Sequence, residues 1–202
     1  MTKPLKIAFA GTGSIGQRHL RNLISQAPDT QVLFLRAGSR KDALSEEVDA
    51  KVVPSIEAVI SENPDGLVIS TPSAFHGETL LKSVSANIPV YIEKPVVTSR
   101  EELASLDALL LSRPTLPSLI GCNLRFVPSL QSMHSLAQRE IGNLVRASFE
   151  AGQWLPDWRP SQNHRHSYSA KTEAGGGVIL DLLHEIDAAS WICGDMEILA
   201  AT

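Results

Sequence analysis

The stretch Lys6 to Gly16, KIAFAGTGSIG, narrows the choice of fold more than any other part of the chain. Leu5 to Ala10 is an apolar run long enough for a buried strand. Gly11-Thr12-Gly13-Ser14-Ile15-Gly16 follows at once. Gln17 to Gln26 then has helical spacing, with Ile15, Leu20, Leu23 and Ile24 on one side. Strand, glycine turn and helix in this order are the setting in which G-x-G-x-x-G binds a dinucleotide. Gly11 permits the tight turn, Gly13 lets the backbone approach a pyrophosphate, and Gly16 lets the helix pack on the strand. The N–H groups of Ser14, Ile15 and Gly16 then face the phosphate from the positive end of the helix. With no ligand the same pattern is only a glycine-rich turn, so the rest of the chain decides.

The rest alternates. Gln31 to Arg36, Lys51 to Val53, Gly66 to Ser70, Ile88 to Ile92 and Pro117 to Gly121 read as strands. Ser55 to Ser61, Ala74 to Ala86 and Arg100 to Leu111 read as helices, the last with Ser99 as cap and Glu102 three residues on. Alternation of this kind predicts an α/β fold, a doubly wound parallel sheet of Rossmann type with helices on both faces. Its ligand crevice lies at the carboxyl ends of the strands. Gly11–Gly16, Thr71-Pro72 through His76, and Glu93-Lys94-Pro95 would line that edge. Past Cys122 the pattern changes. Val127 to Gln138 reads as a helix, Asn143 to Ala151 as a strand, and Val178 to Cys193 as a helix behind Gly175-Gly176-Gly177. The expected domains are therefore residues 1–122, binding the dinucleotide, and residues 123–202, of α+β type.

Several residues carry possible chemistry. The end of the second strand is where an acid usually holds the adenine ribose. Arg36, Ser39, Arg40 and Lys41 stand there instead. A basic cluster suits a 2′-phosphate, so NADP is expected over NAD; the alternative is a solvated loop. Lys94 follows a central strand, where its ammonium could polarise or protonate a carbonyl oxygen near a nicotinamide; the commoner alternative is a surface lysine at a strand end. Asp181 and His184, three apart on one expected helix face, could pair so that the carboxylate orients the imidazole; the alternative is a helix-surface ion pair or a core histidine bonded to a backbone carbonyl. Trp154, Trp158 and Tyr168 could stack on a sugar ring, and Arg125, Arg159 and Arg165 could fork a carboxylate or phosphate; the plainer alternative is loop packing. His164 and His166 lack a third and fourth ligand at suitable spacing, so no metal is expected.

Composition removes other classes. A net charge of −4 gives no general attraction to nucleic acid. Cys122 and Cys193 make no disulfide framework and fit a reducing, cytoplasmic setting. Residues 1–10 lack a leader pattern, and no run of eighteen apolar residues exists, so no membrane span is expected.

Taken together, the chain resembles the Gfo/Idh/MocA oxidoreductase family along essentially its whole length. The residues that carry this are Gly11–Gly16 with Arg18-His19, Thr71-Pro72 with His76, and Glu93-Lys94-Pro95. Asn123-Leu124-Arg125-Phe126 and Gly175-Gly176-Gly177 ahead of Asp181 and His184 continue it. The resemblance implies that Lys94, Asp181 and His184 form the catalytic set, that the Lys-Pro bond is often cis, and that Asn123 lies toward the substrate. Many members space the Asp and His four apart; the spacing of three here, with Leu155-Pro156-Asp157-Trp158 and Ser167-Tyr168-Ser169-Ala170, looks like a subgroup found with surface-glycan and nonulosonate sugar biosynthesis. Members are usually half as long again or more, so the second domain is expected to be partial and the longer protein a homo-oligomer. The implied activity is hydride transfer between NAD(P) and a sugar or nucleotide-sugar hydroxyl or carbonyl. The alternatives are oxidation coupled to elimination on a glycoside, and a fragment that binds a dinucleotide or a partner without catalysis.

Overall fold

Strand β1 (Lys6–Ala10) shows how the sheet is built. Its side chains alternate, so Ile7 and Phe9 enter one apolar layer while Ala8 and Ala10 enter the other. Phe9, Ala8 and Ala10 are fully buried and Ile7 partly so, as suits a parallel strand covered on two faces. The computed structural model describes residues 3–158 and 163–200. The chain divides into two units, Met1–Gly121 and Cys122–Thr202.

Unit 1 runs β1, α1 (Ser14–Gln26), β2 (Gln31–Leu35), α2 (Ala43–Glu47), β3 (Lys51–Val53), α3 (Ile56–Ser61), β4 (Gly66–Ile69), α4 (His76–Ser85), β5 (Val90–Ile92), α5 (Arg100–Leu111) and β6 (Ser118–Ile120). The strands form one six-stranded parallel sheet in the order β3-β2-β1-β4-β5-β6. This is the doubly wound arrangement the alternation predicts, and its strand order reverses between β1 and β4. Helices α3, α4 and α5 close one face over Leu33, Leu67, Ile69, Val90 and Ile92. On the other face Leu20 of α1 and Leu44 of α2 pack on Phe9, Val32 and Phe34, with the Phe9 and Phe34 rings edge to face at 6.3 Å. An apolar groove on this second face, lined by Phe9, Val68, Tyr91 and Leu119, also reaches Asp65, Pro89 and Pro117 near the amino ends of their strands, away from the carboxyl edge.

Boundary differences have local causes. The fifth strand begins at Val90, because Ile88 donates its N–H to the Ser83 carbonyl and Pro89 has none to give. The helix expected from Ala74 opens with a 3-10 turn, Ser73–Phe75. The Ser99 hydroxyl does cap α5, accepting from the Glu102 N–H at 3.1 Å.

Unit 2 holds α6 (Pro128–Arg139), α7 (Leu155–Trp158), α8 (Val178–Asp181) and α9 (Leu183–Cys193), with short 3-10 turns between. Helix α6 packs on α9: the His134 ring stacks on Trp191 at 4.4 Å and its Nδ1 lies 2.9 Å from the Trp191 carbonyl oxygen. Two expectations fail here. Residues 143–151 form no strand; a strand needs a paired neighbour, and none is present among the described residues of this unit. The helix expected over Val178–Cys193 breaks at Leu182 (φ −98°, ψ 25°), leaving Asp181 at the end of α8 and His184 in the first turn of α9.

Candidate functional site

The glycine loop is shaped by what surrounds it. Gly11 has φ +95°, and a Cβ there would lie 2.5 Å from the Ser70 backbone at the end of β4. A Cβ on Gly16 would strike the Gly11 carbonyl and the Ser70 hydroxyl, which itself donates to Gly11 O at 2.9 Å. At Gly13 nothing lies within 4 Å of that position. Two glycines thus let loop, helix and sheet meet, and the third opens the loop outward. Gly13 is the N-cap of α1, so the helix has no side-chain cap, and no acidic residue stands in its first turn. Its leading N–H groups, on Ser14, Ile15 and Gly16, therefore keep their attraction for an anion. This is a cradle a pyrophosphate fits.

At the end of β2 the Arg36 guanidinium is held on three sides. Its Nη2 donates to Thr12 Oγ1 at 3.0 Å, its Nη1 pairs with Asp42 Oδ1 at 2.6 Å, and its Cζ sits 4.8 Å from the centre of the Phe34 ring. Ser39 ends the 3-10 turn Ala37–Ser39, and Arg40 is exposed beyond it. Asp42 is the residue that reading the sequence missed. It is the N-cap of α2, accepting from the Ser45 N–H at 2.9 Å while the Ser45 hydroxyl accepts from its own N–H. The Arg36 hydrogen bond, aided by that of the Ser45 N–H, pulls its carboxyl down to about 2. The Asp-x-x-Ser spacing was the available signal, since a capping residue's side chain turns back toward the chain that enters the helix.

The ends of β4 and β5 come together beside the loop. Thr71 Oγ1 is buried with no hydrogen-bond partner, a rare state for a buried hydroxyl and one that suits a missing ligand. Pro72 next to it is exposed. His76, expected to touch the cofactor, is only 1% exposed, with Nδ1 2.7 Å from the Pro95 carbonyl oxygen and Nε2 2.8 Å from that of Thr71. Each ring nitrogen faces a backbone carbonyl inside the protein, so the buried His76 bridges the two strand ends rather than facing a ligand. Glu93 turns toward α1, where its Oε1 accepts from His19 Nε2 at 2.7 Å. Lys94 is half-buried, and the Lys94–Pro95 bond is cis.

Unit 2 arranges its candidates differently from expectation. Asp181 is buried, with Ser169 Oγ 3.4 Å from its Oδ1, and His184 is half-buried. The break at Leu182 means they do not share one continuous helix face. Arg125, expected to fork a substrate anion, already forks Asp187: Nε to Oδ2 at 2.9 Å and Nη2 to Oδ1 at 2.6 Å. That pairing holds Asp187 below the usual carboxylate range and Arg125 above its own. Asn123 and Arg165 are exposed, Trp154 is 72% exposed, and Tyr168 is half-buried. Trp158 is half-buried, and its Nε1 is buried without a hydrogen-bond partner. Arg159 lies outside the described residues. Among those described, no three His, Cys, Asp or Glu side chains gather as metal ligands, and no helix is long and apolar enough to cross a membrane.

Comparison with known proteins agrees with the fold. The chain is similar to scyllo-inositol 2-dehydrogenase (NAD(+)) of Bacillus subtilis, 23% identical over 205 residues, covering 96% of this chain and 55% of that protein. It is similar to the 2,7-anhydro-N-acetylneuraminate hydratase of Mediterraneibacter gnavus, 20% identical over 195 residues, covering 96% and 50%. Its fold matches scyllo-inositol dehydrogenase from Lactobacillus casei, solved with bound NAD(H) and scyllo-inositol, at a TM-score of 0.74 and 22% identity, covering 95% and 57%. The chain spans about half the length of the curated relatives it matches. Residues 5–115, more than half of the chain, match the family model described as an oxidoreductase family with an NAD-binding Rossmann fold, and the chain belongs to that family, GFO/IDH/MocA.

Proposed function

We propose that the chain serves hydride transfer between a nicotinamide dinucleotide and a hydroxyl-bearing carbon of a sugar or sugar-like polyol. The observation that carries this is the uncapped start of α1 set beside Thr71 at the end of the neighbouring strand β4. Ser14, Ile15 and Gly16 would hold the pyrophosphate through their backbone N–H groups. Thr71 would give its unmatched hydroxyl to the ligand, while His76 and His19 hold the strand ends from behind. When bound, the cofactor accepts a hydride from the substrate carbon or returns it. Lys94 would hold its ammonium against the reacting oxygen and stabilise the charge that develops there. By family resemblance His184 takes the hydroxyl proton and Asp181 steadies the imidazole. Trp154, Trp158, Tyr168, Asn123 and Arg165 are proposed for the substrate, and Arg125 to support Asp187. Arg36 and Arg40 favour a 2′-phosphorylated dinucleotide; Asp42 opposes it. A soluble, self-associating enzyme working on a small molecule in the cytoplasm is the setting proposed.

The test uses Lys94→Ala and Lys94→Met with scyllo-inositol and a panel of nucleotide sugars, following reduction of NAD+ and NADP+. Turnover should fall by about 10²- to 10⁴-fold with dinucleotide affinity kept within a few-fold. Unchanged turnover and pH profile would remove Lys94 from the chemistry. Dinucleotide binding without turnover on any probe would make the chain a binding unit.

A second reading has one support, the likeness to a hydratase acting on an anhydro sugar acid. In it the same residues serve oxidation, elimination and re-reduction. Product formed with no net change in NAD(H) would select it.

A further inference from the structure

The adenine-ribose end of the proposed dinucleotide site carries a charge pair of which only Arg36 stands at the end of β2. Arg36 alone would be a ready partner for a 2′-phosphate. Its guanidinium is not loose, however: the Thr12 hydroxyl, the Phe34 ring and the Asp42 carboxylate fix it at the rim of the glycine loop. The Arg36 side chain is 17% exposed and that of Asp42 52% exposed, so the carboxylate is the half of the pair that solvent reaches. A 2′-phosphate placed on Arg36 would meet this carboxylate at close range, which is repulsive. A 2′-hydroxyl meets no such penalty and can donate to the carboxylate, the role an acid usually plays at this point of the fold.

We propose that Asp42 sets which form of the dinucleotide the chain takes, its carboxylate offsetting Arg36 so that the unphosphorylated form is preferred. The acid that the end of β2 lacks is supplied from the cap of α2. Loss of the Asp42 charge leaves Arg36 uncompensated, with the exposed Arg40 and Lys41 beyond it, and turns the same position toward a 2′-phosphate. This rests on the dinucleotide-binding reading.

The pair allows a clean substitution. Asp42→Asn removes the charge and keeps a side-chain oxygen for the Ser45 N–H, so α2 keeps its cap. Equilibrium titration of NAD+ and NADP+ into the wild-type chain, Asp42→Asn, Arg36→Ala and the double variant gives the test. The wild type should bind NAD+ more tightly. Asp42→Asn should tighten NADP+ by about tenfold, a modest figure because the carboxylate is solvent-screened, and leave NAD+ unchanged or a few-fold weaker. Arg36→Ala added to Asp42→Asn should erase the gain. The gain should also shrink with added KCl, since it is a charge effect. If Asp42→Asn leaves the ratio of the two affinities within twofold, Asp42 is only a helix cap and the proposal falls. A wild type that prefers NADP+ also overturns it. A folded wild type that binds neither dinucleotide sinks the underlying reading and this proposal with it. Should Asp42→Asn unfold, Asp42→Ser removes the same charge, keeps a capping oxygen, and is judged by the same ratio.

Discussion

Single residues in this protein are constrained by atoms far away in sequence. Gly16 is the sharpest case, because its missing side chain is the space in which α1 meets Gly11 and Ser70. Gly16→Ala must push backbone against backbone. It should cost about 1–3 kcal/mol in thermal or denaturant unfolding and weaken dinucleotide binding more than any exposed substitution in the loop. Normal binding at unchanged stability would show that the loop tolerates the crowding. The three glycine positions could be read from their spacing. The duties of His76 and Glu93 could not. A histidine that links Thr71 to Pro95 and a glutamate that links β5 to α1 look, in one dimension, like any polar residue near a site.

Elements follow their local signals where a cap or a proline decides the end, and depart from them where packing decides. Ser55 and Ser99 cap α3 and α5 as their spacing predicts, each accepting from an N–H three residues on. Helix α9 is different. Its place against α6 is fixed by His134 on Trp191 and by the 3-10 turn Asn123–Phe126, whose Arg125 forks Asp187. The folded pKa of Asp187 is lowered, chiefly by the Arg125 hydrogen bond. Its stabilisation is thus complete above the ordinary unfolded carboxylate value, roughly 4, and is lost as pH falls through the lower folded value. Asp187→Asn should remove about 1 kcal/mol at neutral pH, a low figure because Arg125 is 43% exposed, and should make stability fall less steeply as pH drops below the ordinary carboxylate value. Unfolding followed by tryptophan fluorescence across that fall in pH checks it; an unchanged slope would show that the pair contributes little. The break at Leu182 belongs to this scale too. Apolar periodicity runs through it, so the sequence reads as one long helix, while the backbone at Leu182 leaves the helical region and Asp181 is buried beside Ser169.

At the scale of the whole molecule, the two units carry different kinds of information. Unit 1 is a sheet whose inner strands feed two apolar layers, so much of its architecture is repeated from strand to strand, while the edge strand β6 stays exposed. Anything that binds only the folded loop should stabilise the unit by mass action: a dinucleotide at about 100 times its dissociation constant adds roughly 2.7 kcal/mol. Thermal unfolding with NAD+ or NADP+ should therefore rise with ligand concentration, and a midpoint indifferent to both would argue against the cradle. The parallel α/β fold, the glycine loop Gly11–Gly16 between β1 and α1, and the family resemblance that Glu93-Lys94-Pro95 helps to carry were all legible in the sequence. These are local patterns, repeated or closely spaced, and backbone geometry alone turns them into structure. Only the tertiary structure decided that Asp42 faces Arg36, that Asp187 takes the fork of Arg125, that residues 143–151 make no strand and that Thr71 is left with an unmatched hydroxyl. Each of these depends on which groups meet after the chain has folded back, and pairing over that distance leaves no period or spacing to read.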